Sequence, residues 1–174
     1  MKSKKFWLGM LVMMLVFGFT VLGCDFLFPE PEPKKEAEIN WNDHRYVLYV
    51  ENEYGKSWTD ASDYCESKGG HLATITSEEE QEAVYGLVKD KGAKNVYWIG
   101  ASSSSGTDFK WVTGESWGYT NWGSGEPNNP VGGNENYVQM YRDSGKWNDG
   151  ENNGDPNLDY WSLKNTGFIC EWEN

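Results

Sequence analysis

The hydrophobic and polar positions of residues 40–92 predict one strand followed by two helices. The segment His44–Val50 is aromatic and β-branched, as in a strand. Ser57 and Ser77 each stand three residues before an acidic residue, and apolar residues then recur at helical spacing. Gly69 and Gly92 end the two runs. We therefore expect two helices, each beginning after its serine.

Beyond residue 95 the helical spacing gives way to short apolar stretches. Clusters of Gly, Ser, Asn and Pro separate these stretches, which is the pattern of short strands. The segment 114–136 has no periodic pattern, and loops of this length are usually functional or disordered. The chain is predicted to be an α+β domain with a long irregular loop. The predicted strands are Val96–Gly100, Phe109–Thr113, Tyr137–Tyr141, Gly145–Asn148 and Phe168–Trp172.

The amino terminus has the pattern of an export signal. Three lysines flank the start of an apolar run that extends from Phe6 to Thr20. The 18 residues from Phe6 to Gly23 are also long enough for a tilted membrane anchor. The end of the run, Leu22-Gly23-Cys24, resembles the lipobox of bacterial lipoproteins. This resemblance implies a signal peptide over residues 1–23 and a lipid on Cys24, with an ordinary signal peptide as the alternative.

The residues that follow predict a tether and an exported domain. Residues 24–39 alternate prolines with glutamates, a composition that favours extended, solvated chain. The domain is then expected over residues 40–174, exported and held by the lipid at a bacterial membrane, at the cell surface. In an oxidising compartment Cys65 and Cys170 are expected to form a disulfide, and a reactive thiol is the alternative.

The net charge and the motif content argue against several classes of function. The formal net charge is −12, which opposes binding to nucleic acid. No glycine-rich phosphate loop precedes a helix, and the two histidines and three cysteines lack the spacing of a zinc site. A nucleotide enzyme and a zinc domain are therefore not expected.

Five side chains with oxygen ligands lie in or after the long loop. They would converge if the loop folded back over the next strand turn. Three carboxylates and two amides suit a hard cation with six to eight oxygen ligands, and Ca²⁺ suits a flexible loop better than Mg²⁺ does. As an alternative, Glu126 and Glu135 would be the paired carboxylates of a glycosidase. We interpret both as ligands of one ion and predict no enzymatic activity. The five residues are Glu126, Asn128, Glu135, Asn148 and Asp149.

Five short motifs, in this order, resemble the C-type lectin domain over residues 40–174. The resemblance implies that fold, with two helices packed on short antiparallel sheets, and a cis bond between Glu126 and Pro127. It also implies that Asp149 completes a calcium shell and that the other four ligands contact a sugar as well. The motifs are Gly70-His71-Leu72-Ala73-Thr74-Ile75, Trp98-Ile99-Gly100, Glu126-Pro127-Asn128, Trp147-Asn148-Asp149 and Phe168-Ile169-Cys170-Glu171.

The function implied by this resemblance is calcium-dependent binding of mannose-type sugars. The partner would be a mannose-type glycan or a host or surface glycoprotein, and the protein would act as an adhesin. The alternative is a domain that binds a protein ligand, with calcium only ordering the loop. Trp117, Tyr119 and Trp122 border the loop and either anchor it or stack on a sugar.

The sequence also departs from the family pattern. Tyr137 stands where a second disulfide would have its first cysteine. Asn129 and Asn136 replace acidic residues of an auxiliary calcium site, which is therefore predicted to be missing. Residues 150–165 form a polar insertion that is expected to reshape the sugar site. Its acidic residues are candidate ligands of a further ion: Glu151, Asp155 and Asp159.

Overall fold

The computed structural model of the protein describes residues 31–51, 55–129, 133–155, 157 and 159–173. The predicted signal peptide and the lipid on Cys24 lie outside these residues. No helix in the described ranges has the length and hydropathy needed to cross a membrane. The described elements are β1 (Lys34–Trp41), β2 (His44–Val50), α1 (Trp58–Ser67), β3 (His71–Leu72), α2 (Glu78–Lys91), β4 (Val96–Ser102), β5 (Lys110–Trp111), β6 (Glu135–Tyr141), β7 (Trp147–Glu151) and β8 (Thr166–Glu173), with short 3₁₀ turns at Asp159–Trp161 and Leu163–Asn165.

Both helices begin at the predicted caps. The Ser57 hydroxyl accepts from the backbone N–H of Asp60 at 3.1 Å, and that of Ser77 accepts from Glu80 at 3.2 Å. Each serine thus satisfies one of the free N–H groups at the start of its helix. The two predicted N-termini are confirmed because capping depends on residues only three positions apart.

The strands form one mixed sheet in the order β1-β2-β8-β4-β6-β7, with β3 added to β8 and β5 added to β4. The α+β prediction is confirmed, but the sheet is not purely antiparallel, because β4 and β8 run parallel. A parallel pair needs a long connection between its strands. Here the segment between β4 and β8, which includes β5, β6 and β7, forms that connection. No local pattern in either strand predicts the parallel pairing.

The prediction of a solvated tether is wrong for residues 34–39. This segment belongs to β1, which pairs antiparallel with β2 along its length. Ala37, Ile39 and Trp41 are partly buried and pack against the core. The alternation of these three side chains is the period of a half-buried strand. The prolines and glutamates that precede the strand led to the tether interpretation.

The predicted disulfide is confirmed. Cys65 of α1 and Cys170 of β8 are bonded, and both are buried in the core. The bridge joins residues 105 positions apart, and closing a loop of that size stabilises a domain by roughly 4 to 5 kcal/mol in the chain-entropy model. Tyr137, which replaces a family cysteine, packs its ring 4.8 Å from that of Trp58. An aromatic contact therefore joins β6 to α1.

Candidate functional site

The long loop between β5 and β6 is anchored by its aromatic residues. Trp117, Tyr119 and Trp122 all pack around Trp147 of β7, with ring centroids 5.8 to 6.1 Å from that indole. Trp147 itself is fully buried. Of the two roles considered for these three aromatic residues, the structure shows loop anchoring.

The anchored loop and strands β6 and β7 enclose a space of about 290 Å³, which we call the loop cavity. Four of the five predicted ligand residues line it: Glu126, Asn128, Glu135 and Asn148. The pairing of β6 with β7 helps to assemble the set, because Asn148 lies opposite Gln139 and Glu135 lies opposite Glu151. The predicted convergence of loop and strand residues is therefore observed for these four.

Asp149, the fifth predicted ligand, is not among the residues that line the loop cavity. Its carboxylate is fully buried and accepts from the backbone N–H groups of Asn128 at 3.1 Å and Asn129 at 3.0 Å. Asn148 and Asp149 are consecutive in β7, and consecutive strand residues face opposite ways. Asp149 holds the loop in position, and its role in an ion shell stays a prediction. The predicted cis bond between Glu126 and Pro127 is present in the same loop.

Asn129 joins three parts of the loop region. Its Oδ1 accepts from the backbone N–H of Glu135 at 3.3 Å, and its Nδ2 donates to the carbonyl of Ser105 at 3.5 Å. A Cβ on Gly106, where φ is +75°, would lie 1.6 Å from this Nδ2. The sequence interpretation treated Asn129 only as a lost acidic ligand. Its bracing role was missed because its partners are 6 and 24 residues away.

The carboxylates of the loop cavity are buried without enough partners. Glu126 Oε2 and Glu135 Oε2 have no hydrogen-bond partner among the described residues. Burial, and then the charge of Asp149, raise the pKa of Glu126. Burial, followed by the charges of Asp149 and Glu126, raises the pKa of Glu135 to about 7. Buried acceptors that lack donors are costly, and a cation would remove the cost.

The donor set fits a hard cation. All of the candidate ligand atoms are carboxylate or amide oxygens, and Ca²⁺ prefers such oxygens. Two buried, unpartnered carboxylate oxygens supply the negative charge that the ion would neutralise. Glu126, Asn128, Glu135 and Asn148 are the residues that would hold it.

The insertion contributes an aromatic residue to the loop cavity that the sequence did not predict there, together with two of the predicted acidic residues. Trp161 lines the loop cavity, as do Glu151 and Asp155 of the predicted acidic trio. Asp159, the third, forms an ion pair with Lys164. Composition marked the insertion as polar, but it did not indicate that Trp161 lines the cavity.

A second group of acidic residues lies between β2, α2 and β8. The ligand atoms of His44, Glu80 and Glu171 are all within 4.8 Å of one another, and we call these residues with Tyr46 the closed cluster. Glu171 Oε1 contacts His44 Nδ1 at 2.5 Å, and its Oε2 accepts from Thr74 N–H at 2.8 Å. The single O–H of Tyr46 donates to Glu80 Oε1, and the same hydroxyl lies 3.2 Å from Glu171 Oε1.

Burial and hydrogen bonding in the closed cluster shift the pKa of His44 and of Glu171. Burial alone would lower the pKa of His44, but the hydrogen bond and charge of Glu171 outweigh burial and raise it. Burial raises the pKa of Glu171, against the opposing effect of the Thr74 N–H. Sequence analysis missed this cluster because its residues come from three distant segments.

The chain matches a known family model over most of its folded part. The model described as the lectin C-type domain matches residues 54–171. The chain belongs to the C-type lectin domain family. Family members are binding domains and not enzymes, in agreement with the prediction that this chain is not an enzyme.

Curated relatives support the same family assignment for this C-type lectin domain. A protein named lectin from Pleurodeles waltl is 34% identical over 145 residues, which cover 79% of this chain and 82% of that protein. Human asialoglycoprotein receptor 2 is 36% identical over 117 residues, or 64% of this chain. The match spans only 36% of the length of that receptor.

Solved structures share the fold of this C-type lectin domain. The carbohydrate-recognition domain of cow CD23, crystallised in the presence of a GlcNAc2Man3 oligosaccharide, superimposes with a TM-score of 0.61 at 30% sequence identity. The alignment covers 80% of this chain and 95% of the CD23 domain. These comparisons give no support for the predicted lipobox, so that part stays a prediction.

Proposed function

We propose that this chain is a membrane-anchored lectin that binds mannose-type glycans with the help of Ca²⁺. One observation carries the proposal: two buried, unpartnered carboxylate oxygens, on Glu126 and Glu135, face a cavity that two amide side chains also line. The Glu126-Pro127-Asn128 motif resembles that of mannose-selecting lectins. The similarity to a CD23 domain crystallised with a mannose-containing oligosaccharide supports the same ligand class.

The chain contributes complementary hydrogen-bonding groups at the cavity. Ionised Glu126 and Glu135 only accept hydrogen bonds, whereas the side-chain N–H groups of Asn128 and Asn148 donate them. Two neighbouring sugar hydroxyls would each donate to a carboxylate and accept from an amide. A bound calcium ion would accept a lone pair from each of these two hydroxyl oxygens. Selectivity follows because only one arrangement of hydroxyls matches this set of donors and acceptors.

Each single contact is expected to be weak. The site offers a few polar groups in one small cavity, so affinity for a monosaccharide is expected to be about millimolar. Higher overall affinity would come from the display of many copies of the domain on one surface, so that several bind to neighbouring glycans at once. The predicted lipid on Cys24 would provide that display at the outside of a bacterial cell, where the protein would act as an adhesin.

Calorimetry of the full-length chain tests the binding site. Calcium is titrated first, and methyl α-mannoside and methyl β-galactoside are then titrated with calcium and with chelator. We expect calcium binding, and mannoside binding only when calcium is present, with both lost in Glu135→Gln. Calcium binding with no response to any sugar would favour the protein-ligand alternative. Absence of calcium binding at millimolar concentration would overturn the assignment of the site.

Lipid attachment is tested separately in bacterial cells that express the chain. Cells are fed an alkyne-labelled fatty acid, and the protein is examined for label. We expect label on the unaltered chain and none on Cys24→Ser. An unlabelled, released protein would show that residues 1–24 act as an ordinary signal peptide.

A further inference from the structure

Trp161 lies between the loop cavity and a second depression on the same face. The second depression has a volume of about 440 Å³ and is lined by Tyr141, Asp143, Ser144, Tyr160 and Trp161. Tyr141 and Trp161 also line the loop cavity. The two spaces therefore adjoin, with these two aromatic side chains as their common wall.

The insertion holds Trp161 by backbone contacts within itself. The backbone N–H of Asp155 donates to the carbonyl of Trp161 at 3.1 Å, and Gly154 forms a bridge with Ser162. A Cβ on Gly154, where φ is +61°, would lie 2.4 Å from the Trp161 carbonyl oxygen. The close approach requires glycine at position 154, so the backbone that carries Trp161 has a defined conformation.

The indole of Trp161 places a weakly satisfied donor at the common wall. Its Nε1 is buried and makes no hydrogen bond of normal geometry to any described residue. The nearest acceptor is the Tyr141 hydroxyl: burial and the Glu126 charge raise the pKa of Tyr141 to about 12, and hydrogen bonding from the indole opposes them by lowering it. Both side chains thus present a polar hydrogen at the common wall. A buried indole N–H usually has a partner, and a ligand oxygen at the common wall would give this one a better acceptor than the Tyr141 hydroxyl does.

Next to this donor the second depression presents aromatic faces. The ring of Tyr160 lies 4.9 Å from that of Trp161 and 6.4 Å from that of Tyr141. Aromatic faces bind apolar surface, and a few polar groups at the edge orient the ligand. A pyranose has this form, because its C–H bonds make an apolar face and its hydroxyls make a polar rim.

We propose that the site takes at least two linked sugar residues. The first residue lies in the loop cavity, and the second packs its C–H face on Tyr160 and Trp161. Trp161 Nε1 donates to an oxygen at or beside the linkage between them. This inference rests on the proposed function, and it assigns to the insertion the choice of an oligosaccharide over a monosaccharide.

Calorimetry with the calcium-loaded, full-length chain tests the second subsite. Methyl α-mannoside is compared with α-linked mannobiose and mannotriose. We expect mannobiose to bind about fivefold more tightly than the monosaccharide, the ratio that one aromatic contact supplies. In Tyr160→Ala this ratio is expected to fall to about one while the affinity for methyl α-mannoside is kept, because Tyr160 lines only the second depression.

Three further variants and an NMR spectrum distinguish the loss of a sugar contact from damage to the fold. Trp161→Phe keeps a ring but removes the N–H, and Trp161→Ala removes both, so the ratio is expected to fall stepwise. Trp172→Ala, an aromatic deletion on β8, is the control and is expected to keep the ratio. Calcium affinity without sugar, measured for each variant, reports whether the loop cavity is intact. The indole ¹H–¹⁵N signal that Trp161→Phe removes is expected to shift more with mannobiose than with the monosaccharide.

The outcomes distinguish this inference from the proposed function. Equal affinity for monosaccharide and disaccharide in the unaltered chain would overturn the second subsite and leave the lectin function standing. An unchanged ratio in Tyr160→Ala and Trp161→Phe would do the same. Absence of binding to every sugar would overturn both proposals.

Discussion

The loop cavity and the closed cluster are two acidic sites in one domain, and they differ in how their carboxylates are satisfied. In the closed cluster, Glu171 accepts from His44 and Thr74, and Glu80 accepts from Tyr46 and Thr76. In the loop cavity, Glu126 and Glu135 each keep one buried oxygen without a partner.

The comparison shows that acidic residues gathered in space do not by themselves indicate a ligand. The chain supplies donors to the carboxylates of the closed cluster, so the cluster acts as a tie between β2, α2 and β8. In the loop cavity the described residues supply no such donors to Glu126 Oε2 and Glu135 Oε2, and burial, followed by the charges of Asp149 and Glu126, raises the pKa of Glu135 to about 7. A site whose charges are left unbalanced by the protein is the better candidate for a cation.

The largest expected effect is on stability, in the closed cluster. Glu171→Gln should lower the free energy of unfolding by about 3 kcal/mol, because an amide cannot accept from all of the donors that face the buried carboxylate. Urea unfolding measures this change. Glu173→Gln, an exposed residue of the same strand, is the matched control and should change stability by less than about 0.5 kcal/mol. A similarly small effect of Glu171→Gln would show that the cluster is not a tie.

The same substitution in the loop cavity, glutamate to glutamine, should change the free energy of unfolding in the opposite direction. Without calcium, Glu135→Gln should slightly stabilise the domain, since it removes a charge that is repelled by Asp149 and Glu126. With calcium at a hundred times its dissociation constant, the unaltered chain should gain about 2.7 kcal/mol and the variant nothing. Thermal and urea unfolding with and without calcium measure both effects. A destabilising Glu135→Gln in chelator would contradict the difference drawn between the two sites.

The stability that Glu135 contributes should depend on pH. The pKa of Glu135 in the folded state is about 7, above its ordinary value of 4.5. The folded state therefore binds a proton more tightly than the unfolded state, and the stability contributed by Glu135 is present below pH 4.5 and lost as pH rises through 7. Calcium has the reverse dependence, because it needs the ionised carboxylate.

Unfolding at pH 5 and pH 8, with and without calcium, tests this pH dependence. We expect the stabilisation by calcium to be much larger at pH 8. The difference between the two pH values should shrink in Glu135→Gln, whereas it should persist in Glu173→Gln. Equal stabilisation at both pH values would mean that Glu135 is not a calcium ligand.

The smallest expected effect concerns the support of the loop. Asn129→Ala removes the contacts with Glu135 and Ser105 and should lower stability by about 1 kcal/mol and calcium affinity a fewfold. Asn134→Ala, an exposed amide of the same loop, is the control. Calorimetry and urea unfolding measure the two quantities. If both variants behave alike, Asn129 has no bracing role.

Much of the local structure could be predicted because its causes are local. Ser57 and Ser77 cap helices through contacts three residues apart, and the spacing of apolar residues marks the strands. β1 was missed because the prolines and glutamates that precede it resemble a solvated tether. The candidate ligand residues could also be predicted, because carboxylate and amide side chains near a long loop suggest a hard cation whatever their arrangement in space.

The sequence by itself therefore determined the fold class, the disulfide and the identity of the candidate ligand residues, since these follow from short spacings, compartment and chemical type. Tertiary structure alone decided that Asp149 supports the loop, that Asn129 braces it and that Trp161 lines the cavity. It also decided which acidic cluster is satisfied and which is not. The physical reason is that burial and hydrogen-bond partners arise between segments far apart in the chain, where spacing carries no information about contact.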